Sequence, residues 1–224
     1  MAQQERAIRT RQIILQGAAE VFDERGYDAA SIKDILARVQ VTKGALYFHF
    51  PSKEDLARGV LREQTLHLDI AEGTSKLQEL VDVTMAVAHA LPADAMLRAG
   101  SRLALERGSV DFSDSSPFLA WAGLCEGLLD QAKERGEALP HVNSKETAEL
   151  IVGSFTGLQA FSQVTSGLAD LEQRISALWQ HILPSVGVPS ALARIDTAPG
   201  RGGRALALAE AAAEESGEAG DEPQ

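Results

Sequence analysis

Apolar residues recur at helical spacing along almost the whole chain. Ile13-Ile14, Ala18 and Val21-Phe22 form the apolar face of a first helix that ends near Gly26. Ser31 to Val39 reads as a short amphipathic helix behind a Ser cap, and residues 41–50 as a second, very short one. A longer helix over about 53–70 carries Leu56, Val60, Leu61 and Leu68 at the same period. Further helices are predicted near 75–91, 94–107, 116–135, 145–166 and 170–183, with breaks at Gly73, Leu91-Pro92, Gly108-Ser109, Gly136 to Pro140 and Gly167. No alternating run is long enough for a convincing strand, and no internal repeat is evident. The pattern predicts an all-α fold. From Pro199-Gly200-Arg201-Gly202-Gly203 onward the Glu/Ala/Gly-rich chain lacks core-forming side chains, so residues 191–224 are expected to be a poorly ordered acidic tail, transiently helical at most over Ala205 to Glu215.

The two short helices carry the chemistry. Val39-Gln40-Val41 joins them tightly, which makes a helix-turn-helix whose second helix enters a DNA major groove. Thr42 caps that helix through its hydroxyl. Lys43, Tyr47 and His49 offer donors to phosphate or base edges. Gly44 lets the backbone approach closely. Pro51 stops the segment, and Ser52 with Asp55 restarts a helix as a capping box does. Ser31 and Lys33 open the preceding helix, where free N–H groups and the helix dipole favour a phosphate. Phe48 and Phe50 read as core. Leu46 reads either as core or as a contact to a thymine methyl. Arg6, Arg9 and Arg11 read equally as a phosphate-reaching arm or as a solvated helix start.

Gly26-Tyr27, Ser31-Ile32-Lys33-Asp34-Ile35, the run from Val41 to Phe50 and Lys53-Glu54-Asp55-Leu56 together resemble the N-terminal domain of the tetracycline-repressor (TetR) family, over about the first sixty residues. Within it, Lys43-Gly44-Ala45-Leu46-Tyr47-Phe48-His49-Phe50 is most similar to the γ-butyrolactone autoregulator receptors of actinobacteria. Pro117-Phe118-Leu119-Ala120-Trp121 stands where those receptors carry a Trp over the ligand pocket. The resemblance implies a head over 1–52 and a larger helical ligand-binding and dimerisation domain over 53–190. It also implies base-edge proximity for Thr42, Lys43 and Gly44, with Ala45 in the same turn, and phosphate contacts for Tyr47, His49 and Lys53.

Trp121 shares a helix with Phe118, Leu124, Cys125 and Leu128. Read from the residues it is a core aromatic; the resemblance makes it a pocket wall. Phe155 is a second candidate wall, and Gln64 and Thr156 are candidate polar anchors for a lactone carbonyl or hydroxyl. Their alternatives are a solvated Gln and a Thr bonded to its own helix. Gly153 and Gly157 lie four apart on one helix face. With the apolar positions Leu150-Ile151, Leu158, Leu171, Ile175, Leu178-Trp179 and Ile182, they exceed what one helix pair needs within its own subunit. The resemblance implies a homodimeric four-helix bundle there, with Trp179 in core or interface.

Charge changes the picture only through its distribution. The chain has 224 residues and a formal net charge of −11, which as a bulk figure opposes DNA binding. Residues 1–50 hold seven basic and six acidic residues, and the other 174 hold 14 and 26, so the acidity lies away from the proposed DNA face. Phosphate binding follows the local patch, not the bulk charge. The single Cys125 excludes an internal disulfide, and the polar N-terminus lacks the apolar core of a signal peptide, so a cytoplasmic, non-membrane protein is expected. The five His residues are scattered, Cys125 has no adjacent base, and no P-loop or dinucleotide fingerprint is present. Neither an enzyme nor a cofactor is implied. The expected partners are a double-stranded DNA operator, a second copy of the chain and a small hydrophobic lactone-type effector. An efflux regulator binding drug-like hydrophobes, and an architectural DNA-binding protein without inducer, remain the alternatives.

Overall fold

The computed structural model describes residues 2–63, 70, 73–106 and 117–218. The helices are α1 (Ala2–Ala29), α2 (Ile32–Val39), α3 (Lys43–His49), α4 (Lys53–Glu63), α5 (Lys76–Ala90), α6 (Ala95–Leu105), α7 (Pro117–Glu134), α8 (Ser144–Ser166), α9 (Leu171–Val186), α10 (Pro189–Leu192) and α11 (Arg201–Glu218). Among the described residues there is no strand, only an isolated bridge between Ala138 and Gly187. The chain divides into two compact units, residues 1–66 with 93–117, and residues 67–92 with 118–224.

In the first unit, Ile14, Ala18, Phe22, Ile35, Leu46, Phe50, Leu56 and Val60 form one core. The helix-turn-helix is therefore fastened to α1 and α4 through few but fully buried side chains. Ala99 and Leu103 of α6 join the same core, with Met96 packed at its edge. The unit thus extends beyond a 1–52 head, because α6 buries its apolar stripe against α1 and α4.

In the second unit, α5 is buried over nearly its whole length, from Lys76 to Ala88 with Gln78 excepted. α9 lies on one side of it and α11 on another. The polar groups this burial encloses are paired: Lys76 with Glu79 at 2.7 Å, and Thr84 accepting from the Trp179 indole N–H at 2.7 Å. The C-terminal segment corrects the expectation of a poorly ordered tail. Arg201–Glu218 is a helix, docked on α5 by small residues. A Cβ on Gly202 would sit 2.1 Å from the Met85 carbonyl oxygen, and Ala205 is buried. Arg201 pairs with Asp82 at 2.5 Å, and the Asp82 carboxylate holds the guanidinium above the ordinary arginine range. Backbone approach and a half-buried ion pair replace the large side chains that the sequence lacks. Among the described residues, no single helix is long and apolar enough to cross a membrane.

Candidate DNA-contacting helix and effector site

α3 follows from its neighbours. α2 begins with a reciprocal cap, Asp34 N–H on Ser31 Oγ at 3.2 Å and Ser31 N–H on the Asp34 carboxylate at 3.2 Å. The Ser31 hydroxyl holds the Asp34 carboxyl below its usual range. α2 ends at Gln40, whose φ of 50° is left-handed and makes the sharp turn. Thr42 then caps α3 by accepting from Ala45 N–H at 3.1 Å. Leu46 and Phe50, four apart, fasten one side of α3 into the core, which settles Leu46 as core. The other side presents Lys43, Gly44, Tyr47 and Phe48 to solvent. A Cβ on Gly44 would meet nothing within 4 Å, so its bareness serves close approach to an outside partner, not internal packing.

Charge is arranged to match. Arg38 is held by Glu20 at 2.9 Å and Glu24 at 2.8 Å, Arg25 by Asp34 at 2.9 Å, and Arg11 by Glu63 at 3.7 Å. Lys33 and Lys43 have no acidic partner among the described residues; the Lys43 ammonium lies 5.8 Å from the Tyr47 ring centre. His49 is half-buried and meets Phe48 edge-on at 5.1 Å. Arg6 and Arg9 sit on α1 itself, not on a flexible arm.

Three sequence expectations change here. Phe48 is not core: it is 81% exposed, and Lys43 and Tyr47 are exposed with it. Lys53 does not stand free for a phosphate. Its ammonium donates to the Tyr27 and Ala30 carbonyls at 2.8 and 3.0 Å and lies 4.2 Å from the Tyr27 ring centre, closing the end of α1. The Ser31 hydroxyl is engaged with Asp34 at 2.5 Å, leaving Lys33 as the outward donor of that pair.

The second site is in the other unit. Trp121 of α7 is buried and meets Phe155 of α8 edge-on at 4.8 Å. Its indole N–H is buried and has no hydrogen-bond partner among the described residues. Cys125 lies one turn on, fully buried, its thiol pushed up to about 12 by that burial and therefore inert. Thr156 is bonded within its own helix: its hydroxyl donates to the Val152 carbonyl one turn back at 2.8 Å. Gln64 lies outside the described residues.

The family model for bacterial regulatory proteins of the tetR family matches residues 14–60, from buried Ile14 through the helix-turn-helix to buried Val60. The A-factor receptor protein of Streptomyces griseus is 43% identical over 195 residues, covering 87% of this chain and 70% of that protein. This chain belongs to the tetR family. The tetR regulator TylP of Streptomyces fradiae shares its fold with a TM-score of 0.78 and 41% identity, covering 93% of each chain. A γ-butyrolactone receptor described as ArpA-like gives a TM-score of 0.68 and 29% identity, covering 94% of this chain and 99% of its own. As a tetR-family member the chain is a DNA-binding regulator and not an enzyme. The feature of α3 that the residue pattern missed is the outward Phe48. α3 has fewer than two full turns, too few for its apolar period to separate a face toward the core from one toward DNA.

Proposed function

We propose that the protein is a dimeric repressor that grips a pseudo-palindromic operator with two copies of α3 and is released by a γ-butyrolactone-type signal. The observation that carries the effector half is the buried indole N–H of Trp121 beside Phe155, which has no partner among the described residues. A buried donor without an acceptor costs about 1–3 kcal/mol, so the position is expensive unless a ligand supplies the acceptor. A lactone fits: its carbonyl meets the N–H, and its alkyl chain suits aromatic walls. Drug-like hydrophobes without such an acceptor leave the indole unsatisfied, which favours the lactone over the efflux-regulator alternative. The kinship with the A-factor receptor and with an ArpA-like γ-butyrolactone receptor supports the same ligand class, with control of antibiotic production as the output.

The DNA half rests on Thr42, Lys43, Gly44, Ala45, Tyr47 and Phe48, with Lys33 and His49 flanking. Two such helices reach successive major-groove faces about 34–36 Å apart. The dimer face we assign is the outward side of α8. Leu150, Gly157 and Val164 recur every seventh position there, Gly153 and Phe161 flank them, and Leu150, Phe161 and Val164 are 59%, 55% and 87% exposed. A Cβ on either glycine would meet nothing within 4 Å, which leaves room for a second helix to approach closely. The ligand releases DNA only by binding more tightly to a conformation whose two heads miss the operator spacing.

The test is a titration of a synthetic γ-butyrolactone against the protein bound to a duplex that it has itself selected from a random library. Release by the lactone, and none by an aliphatic alcohol of equal length, supports the reading. Failure of every lactone to release the duplex overturns the effector assignment and leaves the DNA assignment standing.

A further inference from the structure

We infer that Arg102 and Glu106 of α6 splint a break in α1 and so act as positioning residues that aim the recognition helix; the inference rests on α3 being the DNA-contacting helix. In an unbroken helix the Tyr27 N–H would bond the Asp23 carbonyl, four residues back. Gly26, with φ 75° and ψ 172°, opens the ladder at that point. The two groups so parted are both taken up by α6. Tyr27 N–H donates to Glu106 Oε2 at 2.8 Å, and Arg102 Nη1 donates to the Asp23 carbonyl at 2.5 Å. Arg102 Nε and Glu106 Oε1 are themselves 3.0 Å apart. The ion pair thus replaces one backbone hydrogen bond, cation on the orphaned acceptor and carboxylate on the orphaned donor. Arg98 fixes the register by holding the Asp23 carboxylate at 2.8 Å.

The site admits only glycine at the break. A Cβ on Gly26 would meet Glu106 Oε1 at 2.3 Å and the Arg102 guanidinium at 2.9 Å, and this backbone region is closed to other residues. Beyond the break, Lys53 grips the Tyr27 and Ala30 carbonyls, and Ser31 follows at once as the cap of α2. The direction of residues 27–30 is therefore inherited by α2 and, across the Gln40 turn, by α3. Glycine accepts helical dihedrals as readily as these. If Arg102 and Glu106 withdraw, Tyr27 N–H and the Asp23 carbonyl regain each other, α1 straightens and α3 is re-aimed. The splint is the last turn of α6.

The experiment compares two duplexes, one selected by the unaltered protein from a random library and one unrelated, of equal length. Glu106→Ala should weaken the selected duplex by about tenfold or more, the effect of losing one charge-assisted hydrogen bond. Affinity for the unrelated duplex and the salt slope should not fall, because Lys43 and Tyr47 remain in place. Glu106→Gln keeps an oxygen for Tyr27 N–H and should retain affinity for the selected duplex; a role confined to charge would not be rescued. Parental affinity of Glu106→Ala for the selected duplex, or equal loss on both duplexes, overturns the inference. Should Glu106→Ala fail to fold, Arg102→Ala carries the same comparison. Lys43→Ala serves as the reference: if it is weakened while Glu106→Ala is not, the splint falls and the DNA reading stands; if it too is unchanged, the DNA reading falls.

Discussion

Trp121 and Trp179 belong to the same unit and both are buried, yet their indoles end differently. Trp179 is fully enclosed against α5, and its N–H meets the Thr84 hydroxyl at 2.7 Å. Trp121 keeps a small exposed edge, its ring meets Phe155, and its N–H meets no acceptor among the described residues. A buried donor that is satisfied belongs to the architecture; one left open is a cost that folding alone does not explain. The contrast separates a structural aromatic from a proposed recognition one without reference to either residue's type. The largest expected effect follows from it. Trp179→Ala should lower stability by about 3–5 kcal/mol, as for a large aromatic removed from a packed core, read by urea or thermal melts. Trp121→Phe removes the open N–H and keeps an aromatic ring of smaller size, so its stability should stay near the parent's while lactone-driven release is lost. Equal destabilisation of Trp121→Phe and Trp179→Phe, with release intact, would return Trp121 to the plain core.

The same distinction separates the two candidate faces of the α8/α9 pair. Ile175 is fully buried within one subunit, whereas Val164 is 87% exposed. Ile175→Asp should unfold the subunit, since an unpaired buried carboxylate costs several kcal/mol. Val164→Asp should leave helicity and melting near parental in dilute solution but yield monomers by light scattering. A Val164→Asp protein that remains a dimer would remove this side of α8 from the interface.

The helices and the helix-turn-helix were legible because long apolar periods and caps are local. Ser31, Gln40, Thr42 and Ser52 each act within a few residues of themselves. What was not legible depends on distant partners. The C-terminal helix needs the Met85 carbonyl, the Asp82 carboxylate and two glycines to dock, and nothing near residue 201 announces them. Lys53 reads as a free cation until the ends of Tyr27 and Ala30 are in place. Thr156 was open between anchor and self-bonded, and geometry gave the self-bonded answer. Gly26 was visible as a stop, but Arg102 and Glu106, which hold the break open, lie more than seventy residues away.

Smaller effects are expected on the proposed DNA face, where side chains meet water. Lys43→Ala should leave the melting curve unchanged, since surface changes fall within about 0.5 kcal/mol. It should weaken operator binding and, if the ammonium meets a phosphate, reduce the salt slope by about one. Unchanged affinity across a salt titration for both Lys43→Ala and Tyr47→Phe would dismiss α3 as the contacting helix.

The smallest stability effect, and the sharpest test of which side of α3 faces DNA, belongs to Phe48. Phe50, two residues on, is 4% exposed, and Phe50→Ala should cost about 3–5 kcal/mol. Phe48 is 81% exposed and meets the His49 ring edge-on, so Phe48→Ala should move stability by no more than about 0.5 kcal/mol. A large exposed phenyl on a DNA-facing helix has one sequence-reading use, contact with the thymine methyl in the major groove. Uracil lacks that methyl and otherwise pairs alike. Replacing each thymine of the selected duplex by uracil in turn should therefore reveal a position where the parent loses affinity. Phe48→Ala should bind the thymine and uracil forms of that position equally. Identical uracil profiles for parent and variant would show that Phe48 touches no methyl. A destabilised Phe48→Ala would instead return the residue to the core, and with it overturn the orientation of α3 assigned here.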